Sequence, residues 1–503
     1  MQLMNDNQYH IQETINLLNS NKTENFTIGE KLKEVIESAP PMMRRPAIQA
    51  MKIAKEIKKI TKNDPQLISI ETRRTNEVKD KNGKGKKKPS RYKELEQLIN
   101  PLIKDIEMKK TIILLTAAAA LVSCGVDDIY YGEMYDPSSL TEAPYLIDWD
   151  AAADSVDVAL IDNFMVKDEG IFWINNDPAS DPGANWVNYW GQAHAMDVVI
   201  DAYLRIKDSD PDRAAEYENY TRLWHQNRAN NYSGPDYRND FTDDMEWIVL
   251  TLIRMYEATG VEEYLDYARD TYDQHIITRW TVDENGGGLI WSIESGRAIS
   301  KNACSNGPGA LCALRLYEFT QDEKYLDDAK MIYEWLSSTL YTPETGAVAD
   351  NMANGVIAGG ALSYNQGTFL GSAHMLYTFT GDRRYLIEAM RAAEYQMTSM
   401  STDGIMNSET SNANSDNSLF KGIFIRYATL LALDENIDAD FRKELSDFMT
   451  HNAIVCWTEG IDKSTYPQIF FNYDWTTPYT DYYKYYQPQV SASTLIEAMT
   501  RLH

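Results

Sequence analysis

The sequence predicts an all-α fold, an (α/α)6 toroid of six helical hairpins, from three observations: an internal repeat, the period of its apolar residues, and the number of repeats the chain can hold. The segment Tyr256 to Ala268 recurs as Tyr317 to Ala329 and as Tyr377 to Ala389, at spacings of 61 and 60 residues. In each copy a long apolar-periodic segment ends at a Thr-Gly or Thr-Gln pair and a second begins at a Tyr-Leu pair, so the unit is two helices joined by a tight turn. In the first copy Met245, Ile248, Val249, Leu252, Ile253 and Tyr256 follow helical spacing, while Trp247 and Leu250 are apolar as well. A helix buried on more than one side suits the inner layer of a closed ring better than an open solenoid, the alternative arrangement. No strand alternation interrupts the pattern. From Cys124 to His503 there are 380 residues, room for six such hairpins.

Composition narrows the function classes. The chain has 503 residues, 43% of them hydrophobic, with 75 acidic against 48 basic side chains and a net charge of −27. Such an acidic surface cannot neutralise a phosphate backbone, which excludes nucleic acid as a partner. The four cysteines, Cys124, Cys304, Cys312 and Cys456, lack the paired spacing of a structural zinc site and are too few for a disulfide scaffold. Cys304, Cys312 and Cys456 are expected to be buried free thiols without a function. Neither a nucleotide-binding loop nor a metal cluster is present in the pattern, so no cofactor is expected.

The charge is unevenly spread. Residues 1–107 hold 21 Lys and Arg against 15 Asp and Glu, a balance of +6, so the remainder carries −33. Residues 1–107, with a helical pattern from Glu30 to Ile60 and a Lys-rich stretch from Lys79 to Lys88, read as a basic extension with no assigned function. At Met108 a Met-Lys-Lys start leads into an apolar run and then Leu121-Val122-Ser123-Cys124. Residues 108–124 thus have the form of a secretory signal, shorter than the roughly 20 residues a spanning helix needs. Its end resembles a bacterial lipobox in which Cys124 receives lipid, and Asp127-Asp128 resembles the export tag of Bacteroidetes surface lipoproteins. Because export machinery reads such a signal at an N-terminus, translation is expected to begin at Met108. The alternative is a cytoplasmic fusion with a buried helix at 111–122. Residues 125–144 then form a linker and 145–503 the toroid domain. The expected location is the outer membrane, through the lipid anchor, as a monomer.

Aligning the copies on the repeated tyrosine brings unusual residues to one level, the start of each inner helix. These are Asp243 and Asp244 after Thr242, Asn306 between Ser305 and Gly307, and Asn365 and Gln366 after Tyr364. In a toroid these starts share one rim and converge on a cleft, although Asp243 and Gln366 are 123 positions apart. An Asp pair in a first helical turn is ordinarily explained by the dipole, with Thr242 as N-cap. Here the rim also gathers amides suited to hydroxyl groups, and Trp186, Trp190, Tyr237 and Trp291 in neighbouring segments offer faces suited to sugar rings. Glycosidic cleavage needs one carboxylate and one carboxylic acid, and repulsion between adjacent aspartates drives their pKa values apart in the required sense.

Four ordered motifs carry a family resemblance: Asn239 to Trp247 with its Asp243-Asp244 pair, Gly286 to Trp291, Lys301 to Pro308, and Tyr364 to Gly367. Over roughly residues 145 to 500 the chain resembles glycoside hydrolase family 76, the endo-α-1,6-mannanases. The resemblance implies a retaining (α/α)6 enzyme acting on α-mannan or manno-oligosaccharides, with Asp243 as nucleophile and Asp244 as acid/base. It further implies that Asp350 holds the sugar in the reactive subsite. Trp190, Gln192, Trp291, Asn302, Asn306, Tyr364, Asn365 and Gln366 are the other positions expected on substrate.

Two other readings compete. A glycan-capturing lipoprotein would not need the intact Asp243-Asp244 pair. An unsaturated-uronide hydrolase on the same fold would need basic residues at the rim, where only Lys301 and Lys421 are candidates. Fungal relatives transfer glycans instead of hydrolysing them, and for a bacterial lipoprotein hydrolysis is expected.

Overall fold

The computed structural model describes residues 146–181, 189–228, 234–283 and 286–503. The extension, the signal with Cys124, the linker to residue 144, and Trp186 lie outside the described residues.

Twelve α-helices account for most of the described chain: α1 Trp149–Phe164, α2 Tyr189–Ile206, α3 Pro211–Gln226, α4 Thr242–Thr259, α5 Glu262–Thr271, α6 Ala303–Thr320, α7 Glu323–Thr339, α8 Ser363–Thr380, α9 Arg383–Ser399, α10 Phe420–Leu433, α11 Ala439–Val455 and α12 Tyr486–Leu502. The even-numbered helices form the inner layer, each packed on the next, and α12 returns to α2 to close the ring. Helices α3, α5, α7, α9 and α11 each cover the inner helix before them in sequence, and α1 covers α12. The sixth hairpin is therefore assembled from the two ends of the domain.

The repeat is legible in the contacts it makes. The shared tyrosines of the first two copies sit edge-on to a phenylalanine of the following unit, Tyr256 on Phe319 at 5.3 Å and Tyr317 on Phe379 at 5.1 Å between ring centroids. The turn after α4 is closed by Gly260 at φ 72°, whose N–H donates to the Tyr256 carbonyl, and Gly381 at φ 69° does the same after α8. After α6 the same left-handed position is held by Gln321 at φ 55°, the Thr-Gln variant of the turn. Thr259, Thr320 and Thr380 each donate from the hydroxyl to the carbonyl four residues back. The inner helices approach closely near their starts: a Cβ at Gly367 would stand 2.6 Å from the Phe424 Cα, so only glycine fits this seam between α8 and α10.

Short ladders occupy the connections, which the sequence pattern did not announce. Among them β1 (Met165–Val166) pairs with β2 (Ile171–Phe172), β4 (Tyr341–Thr342) pairs with β5 (Ala347–Val348), and β3 (Lys301–Asn302), β6 (Asn351–Ala353) and β7 (Val356–Ala358) make a three-stranded patch. Strands of two or three residues are too short to leave an alternating signature.

Inside the ring, buried ion pairs join helices far apart in sequence. Arg254 on α4 and Arg426 on α10 both bind Asp197 and Asp201 of α2. Ring closure has its own node: Arg205 on α2 meets Asp154 at 2.9 Å and Asp157 at 2.8 Å on α1, and Glu497 at 3.0 Å on α12. Burial pushes Asp157 and Glu497 up from their ordinary carboxylate range, and the guanidinium opposes that shift. Replacing Arg205 by Met leaves these carboxylates without their cation, so Arg205→Met is expected to cost about 3 kcal/mol in urea unfolding. Hydrogen exchange should rise first in α1 and α12.

Candidate active site

Six inner-helix starts meet at one rim. The chain of contacts runs from Trp190 on α2 to Phe420 on α10 at 6.4 Å, and from Phe420 to Tyr364 on α8, stacked at 3.8 Å and 14°. Cys304 on α6 neighbours both Tyr364 and Asp243 on α4. The α12 start joins through Gln487, which reaches Asn414 in the segment leading into α10.

Asp243 and Asp244 stand in the first turn of α4, half-buried by accessible area but enclosed by neighbouring groups. The indole Nε1 of Trp291 donates to Asp243 Oδ2 at 3.1 Å. Burial raises the Asp243 carboxyl to about 6, with the neighbouring Cys304 and the Trp291 indole pulling against the rise. Asp244 is pushed well above its usual range by burial, then by the charge of Asp243 and by Asp416. One carboxyl is therefore ready to ionise near neutral pH while its neighbour keeps its proton, the split that acid-assisted displacement needs.

Thr242 does not cap α4 as expected. Phe241 occupies the cap position without a side-chain bond, and the Thr242 hydroxyl, already inside the helix, donates to the Ile290 carbonyl at 2.5 Å and accepts from Arg279. The Thr242 N–H donates to the Trp291 carbonyl at 2.8 Å. The side chain thus secures the segment that carries Trp291.

Across the cleft Asp350 precedes β6. Asn365 Nδ2 donates to its Oδ1 at 3.2 Å and Asn351 Nδ2 to its Oδ2 at 2.9 Å, so the carboxylate is aimed by two amides. Gly359 at φ 76° lies against it, and a Cβ there would come within 2.5 Å of the Asp350 Cβ. Asn302 is nearly buried, with Oδ1 lacking a hydrogen-bond partner, and Asn365 Oδ1 is in the same state.

Other expected substrate contacts have different tasks. Asn306 receives the Leu289 N–H at 2.9 Å and donates to the carbonyls of Leu289 and Asn302, so both ends of its amide bind backbone. Gln366 receives the Val348 N–H and donates to Gly346 and Ala392. Gln192 brackets Phe172 in the same way, at 3.1 Å on both atoms. These three carboxamides occupy the fourth position of α6, α8 and α2 and pin the loop behind each helix, because a buried loop backbone must find partners. Tyr237 belongs to the core, where it meets His225 at 2.9 Å, and does not face the cleft as an open ring. Lys301 is wholly buried, donating to Thr281, Asp283 and Gly286, and Lys421 is buried over the Trp475 ring at 4.0 Å. Neither presents a charge for a uronate.

Sequence reading missed Phe420, Asp416 and the placement of Cys304. The three cysteines are free and buried as expected, but Cys304 borders Asp243. Asp416, in the connection before α10, and Phe420, the first residue of α10, lie outside the repeat motifs where no periodic signal marks them. Glu246, one turn below Asp243, is also wholly buried with both oxygens unpartnered, and burial holds it well above the carboxylate range.

With this geometry in view, comparison with known proteins is informative. The profile of glycosyl hydrolase family 76 matches residues 148–502. The chain belongs to this family. A solved α-1,6-mannanase of Salegentibacter sp. HEL1_6 shares 31% identity with a TM-score of 0.63, covering 71% of this chain and 100% of that one. An inactive variant of that enzyme, with two consecutive aspartates replaced by asparagine, is solved with α-1,6-mannotriose and matches at 30% identity, a TM-score of 0.62 and the same coverage. A mannan endo-1,6-α-mannosidase of Saccharomyces cerevisiae is 28% identical over 221 residues, 40% of this chain and 47% of its own length. The chain spans about half the length of the curated fungal relatives it matches.

The Trp291 indole stabilises the ionised form of Asp243, so its removal must raise the carboxyl pKa. In Trp291→Phe, the Asp243 signal in a carbon-13 NMR titration is expected to move above the wild-type value of about 6.

Proposed function

We propose that this protein hydrolyses α-1,6-mannosidic linkages in mannan by retaining double displacement, with Asp243 as nucleophile and Asp244 as acid/base. The observation that carries the reading is the adjacent pair at the start of α4, in which Asp243 is held at about 6 and Asp244 well above the ordinary range. Family membership and the mannotriose complex of the similar Salegentibacter enzyme supply the substrate class.

In the first step the ionised Asp243 attacks the anomeric carbon while Asp244 delivers its proton to the departing glycosidic oxygen. The bond to Asp243 is formed with inversion, giving a β-linked mannosyl ester. Asp244, now ionised, then takes a proton from water, which attacks the same carbon with a second inversion and returns α-configured product. Asp350, aimed by Asn351 and Asn365, suits hydrogen bonding to hydroxyls of the sugar undergoing attack. The stacked Tyr364 and Phe420, with Trp190 beyond, offer an apolar wall for the sugar's C–H face. Trp291, besides its ring face, offers an indole N–H that orients the nucleophile. The lipobox reading belongs to the same proposal: lipid on Cys124 would hold the enzyme at the outer membrane.

Incubation of residues 125–503 with unbranched α-1,6-mannan should yield a ladder of manno-oligosaccharides, with α-anomers appearing first by proton NMR. Asp243→Asn and Asp244→Asn should each lose activity by roughly 10² to 10⁴. Binding without cleavage by the unaltered enzyme would move the protein to glycan capture, and β-anomers would exclude retention. The pH profile should be bell-shaped: below about 6 activity falls as Asp243 takes up a proton, and at high pH it falls as Asp244 loses one. Cys124→Ala in the chain expressed from Met108 should move the protein out of the membrane fraction; unchanged partitioning would remove the anchor.

A further inference from the structure

Arg297 belongs to none of the motifs that led to the site, yet its guanidinium lies against the indole that binds Asp243. The segment after Trp291 is stitched to the residues that lead into α4. Phe241 bridges Ser292, the Ile293 N–H donates to the Asp240 carbonyl at 3.0 Å, and the Thr242 N–H donates to the Trp291 carbonyl at 2.8 Å. The chain then reverses between Glu294 and Arg297, closed by the Arg297 N–H on the Glu294 carbonyl at 3.2 Å, with Gly296 at φ 85° in the left-handed third position that glycine favours. That turn returns Arg297 to a notch between two rings. Its guanidinium carbon is 4.8 Å from the Trp291 centroid and 5.2 Å from that of Phe241, and the two rings meet edge-on at 5.2 Å. Glu294 Oε2 accepts from Arg297 Nε at 2.8 Å and from Nη2 at 2.6 Å, which holds the guanidinium in place. One side of the indole is thus covered by a cation while its Nε1 donates to Asp243 Oδ2 at 3.1 Å. Oδ1 of the same carboxyl is buried without a hydrogen-bond partner.

We propose that Arg297 is a positioning residue for the reaction, acting through Trp291 to fix which oxygen of Asp243 attacks. This rests on Asp243 being the nucleophile. A cation over an aromatic face is attracted to it and draws electron density from the ring, which makes the indole N–H a firmer donor. A firmer bond to Oδ2 anchors that oxygen and leaves Oδ1 to approach the anomeric carbon. The stack also fixes the plane of the ring, which a single bond at its N–H would leave free to tilt. Arginine suits this task better than lysine, because a planar guanidinium lies flat on the ring. The titratable groups around Asp243 are Asp244 and Glu246 on α4, Arg279 on the segment after α5, Cys304 on α6, Asp350 before β6 and Tyr364 on α8. Glu294 is the group that faces Arg297 itself. All of these stay in place when Arg297 is replaced.

The test is a double-substitution cycle between Arg297 and Trp291. The Arg297 side chain is 38% exposed on a surface turn, so its replacement leaves the fold intact. Arg297→Met should lower kcat about three- to fivefold, the scale of an exposed cation–π contact, with KM near the wild-type value. The acidic limb of its pH profile should move up, because a weaker donor stabilises the ionised Asp243 less. In Trp291→Phe, where the N–H is gone, the same substitution should change neither kcat nor the limb any further. Arg297→Lys should fall between wild type and Arg297→Met. In nitrogen-15 spectra the Trp291 indole proton, assigned by its loss in Trp291→Phe, should move upfield in Arg297→Met. Wild-type kinetics in Arg297→Met, or a rise in KM alone, would overturn the proposal. So would equal losses in both backgrounds, which would mean that the guanidinium acts directly on substrate or on Asp243. Asp243→Asn is the reference for a lost nucleophile, and activity in that variant would instead overturn the assignment of the nucleophile.

Discussion

Closure of the inner ring is the constraint on which the rest of the domain depends. Six helices can present their starts to a single cleft only if the last packs against the first, and here α12 meets α2 with α1 laid over the seam. Arg205 joins all three helices through Asp154, Asp157 and Glu497. A second group of buried ions, Arg254 and Arg426 on Asp197 and Asp201, spans α2, α4 and α10 in the same cross-ring sense. Charges inside a protein carry a large desolvation cost, so these pairs specify which helices face one another more than they add net stability.

Once the ring is closed, the connections must be held against it. The carboxamides of Gln192, Asn306 and Gln366 each bind both the N–H and carbonyl sides of a loop backbone, which turns flexible connections into fixed walls. Their alignment at one level of the repeat reflects this shared anchoring. Oxygens without a partner remain instead on other amides, Asn302 and Asn365 among them.

The electrostatics of the cleft follow from placing two carboxyls where solvent is scarce. Desolvation is the largest influence on both Asp243 and Asp244, and the difference between them comes from what else each meets. Asp243 has the Trp291 indole as a donor; Asp244 has the charges of Asp243 and Asp416. Neighbouring residues in one helical turn thus acquire different proton affinities without any difference in side-chain chemistry.

Much of this was legible in the sequence. The repeat of 61 and 60 residues, with its Thr-Gly and Thr-Gln turns, determined the hairpins and their number, because turn chemistry and helical period are local properties. The same alignment selected Asp243, Asp244 and Asn365, and the family motifs selected Asp350. Residue type alone could not say which amides would be consumed by backbone, and Asn306 and Asn365 look alike in sequence although one is a staple and the other aims a carboxylate. Nor could it place Cys304, Phe420 or Asp416 beside the aspartates, since those contacts cross from one helix to another and depend on how closely the inner helices approach. Sequence by itself determined the helices, the ring and the acidic pair; tertiary structure decided which polar atoms stay available in the cleft, because hydrogen-bond partners and desolvation are set by neighbours distant along the chain.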